Sequence, residues 1–248
     1  MRPASARERL IAAVAELLAG VRHVAVGASS PIPAAGAMLA RALGDGARGP
    51  MRISILGSPR HNFFTNGSAE LFDCAAQGRI DAFFLGGGQI DGAGNINLVG
   101  AGEYPQSGPR WPGSFGSALL YYVVPRVILF REEHSPRVLV EKVDFVSAPG
   151  VSPAGVYRPG GPYALLTSLA LFRFDPARER FRLAQLQPGH AVEEVRARTG
   201  FAFDVEEELR AAPDPDGRTL ALLRGPVLKE LSETYPRFAE AIRDEASR

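Results

Sequence analysis

The chain of 248 residues has a single cysteine, Cys74. This excludes an intrachain disulfide framework and any cluster of cysteine metal ligands. Cys74 lies in the apolar helical stretch Leu71-Phe72-Asp73-Cys74-Ala75-Ala76 and is expected as a buried core thiol. The four histidines, His23, His61, His134 and His190, are scattered, and no pair has ligand spacing, so no metal site is expected. Charge of either sign is not in excess: 28 basic and 27 acidic side chains leave +1. That balance argues against nucleic-acid backbone binding and leaves room for a local basic pocket that takes a small anion. No run reaches the roughly 18 apolar residues that a membrane span needs. Glu8 and Arg9 interrupt the N-terminal apolar pattern, which is not that of a secretory leader. The expectation is a cytoplasmic protein with no membrane and no nucleic-acid partner. A P-loop lysine and the GxSxG pattern of a serine nucleophile are missing as well.

What is present is an ordinary globular composition, 46% hydrophobic and 22% charged, on a chain long enough to bury roughly 70–75% of its unfolded surface. Leu10, Ile11, Val14, Leu17 and Leu18 recur at helical spacing, with Arg7, Glu8 and Glu16 elsewhere on the wheel; this predicts an amphipathic helix ending at Gly20. A strand follows over Val21–Ala28, a break over Ser29–Pro33, a helix over Ala34–Leu43, a loop over Gly44–Pro50 and a strand over Met51–Gly57. A helix over Ser68–Gln77 leads to the strand Ile80–Leu85. Further strands are predicted at Val123–Arg131, Val138–Val146, Ala164–Phe174 and Phe181–Gln187, and helices at Ala191–Thr199 and Arg218–Leu231. Strands alternating with helices predict an α/β fold with an open, largely parallel sheet and helices on both faces. One domain is expected over residues 1–225, with a C-terminal helical arm over 226–248.

In open α/β sheets ligands bind beyond the carboxyl ends of strands. Two glycine-rich segments stand at such places. In Gly86-Gly87-Gly88-Gln89-Ile90-Asp91-Gly92-Ala93-Gly94-Asn95-Ile96-Asn97, glycines let a backbone approach a ligand while Gln89, Asp91, Asn95 and Asn97 add polar groups. A β-turn at Asp91–Gly94 joining two strands explains the same residues. Gly113-Ser114-Phe115-Gly116-Ser117 precedes the apolar run Ala118–Val124 and offers backbone N–H groups to an oxyanion or phosphate, or is a plain loop. His61, in Ser58-Pro59-Arg60-His61-Asn62, follows the strand Met51–Gly57 and is within reach of a site at its carboxyl end. Glu206-Glu207-Glu208 reads as a solvated face.

The block Gly86–Asn97 resembles the GGAQ-[IV]-D-x-x-GN-x-N signature of family I CoA-transferase β subunits, glutaconate CoA-transferases in particular. Further matches run in order: Val26–Pro31, Gly113–Ser117, Val143–Gly150, Thr199–Val205 and Ala212–Pro215. The resemblance spans roughly residues 8 to 225. It implies a CoA-transferase-type fold, a partner α subunit in a heterodimer or heterotetramer, and an acyl-CoA site between the two subunits. It implies no bound cofactor, with a coenzyme A thioester as substrate. It also implies a β-subunit glutamate, in a short Glu-Ser-Gly or Ser-Glu-Asn-Gly motif after the second strand, that attacks the thioester to give an acyl-glutamyl anhydride and then a glutamyl-CoA thioester. Backbone donors of glycine-rich loops stabilise the oxyanion.

The chain departs from the family at that residue. Its second strand runs into Ile55-Leu56-Gly57-Ser58-Pro59, so the glutamate position falls on Leu56, or on Gly57 after a one-residue slip. Glu70 and Asp73 lie on the following helix, and Glu103 falls in the loop after Asn97 as a structural acid. Ser58, Arg60 and His61 take the place of the lost nucleophile as catalytic candidates, Arg60 to hold a substrate carboxylate and His61 as a general base. Gly87, Gly88, Gln89, Asn95, Gly113, Ser114 and Gly116 are the candidates for facing an acyl-CoA. Three functions fit: the β-type subunit of an enzyme transferring CoA between an acyl-CoA and a carboxylate, a subunit of a ring-opening C–C hydrolase of a cyclic acyl-CoA, and a non-catalytic acyl-CoA-binding subunit.

Overall fold

The computed structural model describes residues 2–44, 49–106 and 108–247. Residues 45–48 of the expected loop Gly44–Pro50, and Met1 and Arg248 at the expected domain limits, lie outside the described residues. The chain divides into two compact units, one of residues 1–67, 80–82 and 213–248, the other of residues 68–79 and 83–212.

In the first unit, α1 (Ala6–Leu17) starts at a capping box: the Ser5 hydroxyl accepts from the Glu8 N–H and the Glu8 carboxylate from the Ser5 N–H. Leu10, Ile11, Val14, Leu17 and Leu18 are buried, as their spacing predicts. β1 (His23–Val26) is buried along its whole length and pairs in parallel with β2 (Arg52–Ile55). Between them α2 runs Pro31–Leu43. The predicted break over Ser29–Pro33 is thus corrected: Pro31 and Pro33 occupy the first turn, where a helix has no use for their missing N–H groups. The predicted helix Arg218–Leu231 is realised as α6 (Gly217–Leu222), a π-helical turn over Leu223–Val227 and α7 (Leu228–Leu231), after which α8 runs Pro236–Ser247. Leu223, Val227, Leu228, Leu231, Ala239 and Ile242 are buried, so residues 226–247 carry core positions of this unit.

Glu8 corrects the reading of α1. Instead of facing solvent it is fully buried, and Arg224 of the π-helical turn grips both its oxygens, at 2.7 and 2.9 Å. Burial works to raise the carboxyl pKa, but the guanidinium and the Ser5 N–H outweigh it, and the net direction is downward.

In the second unit, α3 (Gly67–Ala76) carries the buried Cys74. The strands are β3 (Ala82–Leu85), β4 (Gln89–Ile90), β5 (Ile96–Asn97), β6 (Arg126–Arg131), β7 (Pro162–Thr167), β8 (Ala170–Asp175), β9 (Arg180–Leu186) and β10 (Asp204–Ala211), with the helices α4 (Ser117–Val123) and α5 (Val192–Ala197). The order β10-β9-β8-β7-β6-β3 is mixed: β6–β7 and β9–β10 are parallel, β7–β8 and β8–β9 antiparallel. The predicted single strand Ala164–Phe174 is a hairpin folded at Ser168-Leu169. The predicted strand Val138–Val146 makes only an isolated bridge, Leu139 with Ile90. The acidic run Glu206–Glu208 lies in β10, the last strand in the order, where one side of the ladder has no strand neighbour and charge is tolerated.

His134 is buried in this unit between two hydroxyls, its Nδ1 2.7 Å from Thr167 Oγ1 and its Nε2 2.9 Å from Thr199 Oγ1. Each hydroxyl also donates to a backbone carbonyl, Thr167 to Ala170 O at 3.1 Å and Thr199 to Val195 O at 2.7 Å, so a neutral ring donates to one hydroxyl and accepts from the other only when that one turns its proton from its carbonyl. Burial, helped by Arg198 and opposed by Glu194, pushes its pKa down to about 4.

Two outcomes are expected. Arg224→Ala strands a buried carboxylate and costs about 3 kcal/mol, read as a lower denaturant midpoint. Because the folded pKa of His134 is depressed, its contribution to stability is complete above the unfolded value near 6.5 and is lost as pH falls toward 4. The loss is on the order of 2 kcal/mol. Melting curves between pH 7 and 4.5 should show it, and His134→Gln should flatten that part of the profile.

Candidate active site

The chain leaves β2 through a tight turn. The Leu56 N–H donates to Val26 O at 2.9 Å, Gly57 takes a left-handed backbone (φ +82°), and the Ser58 N–H returns to Ile55 O at 3.1 Å. Leu56 is half-buried and Gly57 exposed, so no carboxylate projects from either position. A side chain at Gly57 would be strained by its φ, whereas Leu56 sits on ordinary backbone.

Ser58, Arg60 and His61 are brought together and each meets the C-terminal segment of the same unit. Ser58 Oγ is buried 2.9 Å from Thr234 Oγ1 and accepts from the backbone N–H of His61 at 3.1 Å. The His61 ring is almost fully buried, its Nε2 3.0 Å from Glu230 Oε1 without hydrogen-bond alignment. Both oxygens of Glu230 accept from Arg41 at 2.6 Å. Arg60 pairs with Glu233 at 2.5 Å on the surface. The Tyr235 hydroxyl donates to Ala28 O at 2.7 Å, beyond the end of β1, and its burial raises its pKa. Sequence reasoning missed Glu230, Glu233, Thr234 and Tyr235. They lie some 170 residues from Ser58, and no local pattern signals the contact. No Ser–His nucleophile pair is built here, since Ser58 touches the backbone of His61 and not its ring.

The second set of candidates lies in the other unit. β4 and β5 form an antiparallel hairpin with Gln89 opposite Asn97 and Ile90 opposite Ile96. At its tip Asp91 receives the N–H groups of Ala93 and Asn95 and the side-chain amide of Asn95, at 3.0–3.1 Å. Asn95 Oδ1 then accepts from the Gly150 N–H at 3.1 Å. On the strands, Gln89 Oε1 accepts from Asn97 Nδ2 at 2.8 Å and from the Asp144 N–H at 3.0 Å. Gln89 Nε2 donates to Asp144 Oδ2 at 2.8 Å, and the same oxygen takes the Gly102 N–H at 2.8 Å. The polar side chains of the signature are therefore spent inside the protein. Gly87 and Gly88 are tight: a Cβ on the first would overlap Ile90 and Ile96, and on the second the Trp111 ring.

Gly113 packs against Leu98, Ser114 is exposed, and Gly116 caps the start of α4 with a left-handed backbone. Phe115 is 76% exposed, its ring 5.8 Å from that of Phe72. Behind α4, Tyr121 is fully buried and donates its hydroxyl proton to Gly94 O at 2.8 Å; burial holds its pKa well above the usual value. Among the described residues no group of three or more His, Cys, Asp or Glu side chains is arranged to hold a metal ion, and no helix is long and apolar enough to cross a membrane.

The coenzyme A transferase family matches residues 51–198 of this chain. The chain is similar to the B subunit of 3-oxoadipate CoA-transferase from Pseudomonas knackmussii, 30% identical over 203 residues that cover 79% of this chain and 74% of the relative. It is also similar to the B subunit of glutaconate CoA-transferase from Acidaminococcus fermentans, 34% identical over 140 residues, 53% of this chain and 52% of that one. Among solved structures, the decarboxylase AibA/AibB superposes with a TM-score of 0.73 at 26% identity, covering 89% of this chain and 93% of that chain. The family match covers more than half of the chain, and the 3-oxoadipate relative is covered over nearly three quarters of its length: this chain belongs to the coenzyme A transferase family.

Proposed function

We propose that the chain is the B-type subunit of a heteromeric enzyme that acts on an acyl-CoA together with an A-type subunit in the cytoplasm, and that its reaction is transfer of CoA between an acyl-CoA and a carboxylate. The observation that carries this reading is its similarity to the B-type subunits of two CoA-transferases, one of them over 79% of the chain. Transfer of this kind needs a carboxylate to attack the thioester carbon and expel the CoA thiolate, and no resident cofactor or metal. With Leu56 after β2, that carboxylate comes from the A-type subunit or from the acceptor acid itself. The exposed backbone of Gly86 and of Gly113-Ser114 supplies donors to the thioester oxygen. Gln89 and Asn95 act through the loops they hold.

A second reading rests on the same strand end. Loss of the carboxylate suits water-driven C–C cleavage of a cyclic acyl-CoA, in which no acyl-enzyme forms. Coexpression with an A-type subunit, incubation with glutaconyl-CoA or a ring-containing acyl-CoA in heavy-oxygen water, and mass spectrometry separate the two. Acetyl-CoA appearing only when acetate is added means transfer. Heavy oxygen in a ring-opened product that keeps its CoA means hydrolysis. Turnover of neither leaves a non-catalytic binding subunit.

Two variants sharpen this. Leu56→Glu, on unstrained backbone, is expected to raise acetate-dependent transfer about tenfold or more, about 1.4 kcal/mol of barrier. Unchanged transfer would show that this strand end does not meet the thioester. Gln89→Ala deprives Asn97 and the Asp144 N–H of an acceptor and should lower stability by about 2 kcal/mol. A raised KM for acyl-CoA with an unchanged unfolding midpoint would instead make Gln89 a direct ligand contact.

A further inference from the structure

In the second unit, β6 and β7 run parallel from Arg126 and Pro162, and the loops entering them gather at that end. They enclose a cleft of about 290 Å³ whose lining includes Pro125, Ser152, Arg158, Gly160, Phe174 and Glu179. Ligand pockets usually span about 300–1,000 Å³, so this one suits a small molecule.

Arg158 is half-buried in its wall. Its Nε donates to Gly160 O at 2.9 Å, its Nη2 to Pro149 O at 2.8 Å and Tyr121 O at 3.2 Å, and its Nη1 to Ser152 Oγ at 3.3 Å. The guanidinium also lies over the rings of Tyr121 and Tyr122, 5.3 and 5.8 Å from their centroids. Every one of these partners is neutral. Among the described residues no carboxylate stands within ion-pair distance of it; Glu179, exposed at the rim, is the only acid in the lining. Desolvation lowers the guanidinium's pKa, with the phenols of Tyr121 and Tyr122 working the other way.

A charge withdrawn from water and met only by dipoles is costly unless a counter-charge is added. Four of the five guanidinium N–H groups are engaged, which fixes the group rigidly and leaves one on Nη1 as a donor. We propose that the cleft beside Arg158 binds a small oxyanion, a carboxylate or a phosphate, which supplies the missing counter-charge and accepts the remaining N–H. The chief alternative is an arginine that only pins the loops around residues 149–160 and binds no anion. The two differ in a measurable way.

The full chain would be titrated with inorganic phosphate and, separately, with succinate, by calorimetry and by thermal melting, at an ionic strength held constant with chloride. Saturable binding with a rise in melting temperature is expected, and the tighter of the two probes identifies the anion class. Arg158→Gln should weaken it about tenfold or more. Glu179→Gln, which removes the opposing charge at the rim, should tighten it about two- to threefold. Absence of saturable binding over chloride in the unaltered chain overturns the proposal. So does undiminished binding in an Arg158→Gln chain with native near-ultraviolet dichroism. Should that variant fail to fold, an affinity unmoved by Glu179→Gln counts against the site.

Discussion

A polar side chain taken out of water must recover its hydrogen bonds, or the fold loses more than the bond would have returned. The β4–β5 hairpin depends on that constraint. Gln89, Asn97 and Asp91 are buried, and each finds its partners within the protein: Gln89 with Asn97 and Asp144, Asn97 with Gly100 O at 2.7 Å, Asp91 with three donors of its own turn. Asp144, reached by Gln89 on one side, holds the Gly102 N–H on the other and so anchors the start of the exposed 102–106 loop. Asn95 does the same for Gly150. Two loops far apart in sequence are thus set by one small group of amides and carboxylates.

A similar dependence governs the first unit. Glu8 caps its own helix and, through Arg224, ties α1 to the π-helical turn that precedes α7. From there the chain runs on to Glu230, Glu233, Thr234 and Tyr235, which meet Arg41, His61, Arg60, Ser58 and Ala28. The strand ends β1 and β2 are therefore closed by a segment anchored through a buried ion pair. Surface pairs such as Arg60–Glu233 add little by themselves. The buried apolar side chains Leu223, Val227, Leu228 and Leu231 carry the rest.

Local periodicity made α1, β1, β2 and β3 legible, because each buries a face that its own residues define. Elements whose fate depends on partners were not. Val138–Val146 has the composition of a strand but finds only a single bridge to Ile90. Pro31 and Pro33 read as a break because proline ends helices more visibly than it starts them. In the site, the glycine-rich words were legible and the roles of their polar residues were not. Gln89 and Asn95 stand among glycines as ligand-facing groups would, and only Asp144 and Gly150, about 55 residues away, reveal that their hydrogen-bonding capacity is already used. Glu8 was hidden for the same reason, its partner being 216 residues distant.

The turn after β2 separates scaffold from chemistry. Its geometry rests on the Leu56 N–H to Val26, the left-handed Gly57 and the return from Ser58 to Ile55, all of them backbone features. None requires a particular side chain at position 56, so a carboxylate there can be lost without disturbing the turn. Nor do the nearest acids in the same unit restore it, since Glu230 is committed to Arg41 and His61, and Glu233 to Arg60. A carboxylate already neutralised by a guanidinium is a weaker nucleophile than a free one, because the same lone pairs must serve both. The family scaffold thus persists here with Leu56 at the end of β2 and with Glu230 and Glu233, the acids that meet Arg41 and Arg60 beside it, held by guanidinium groups.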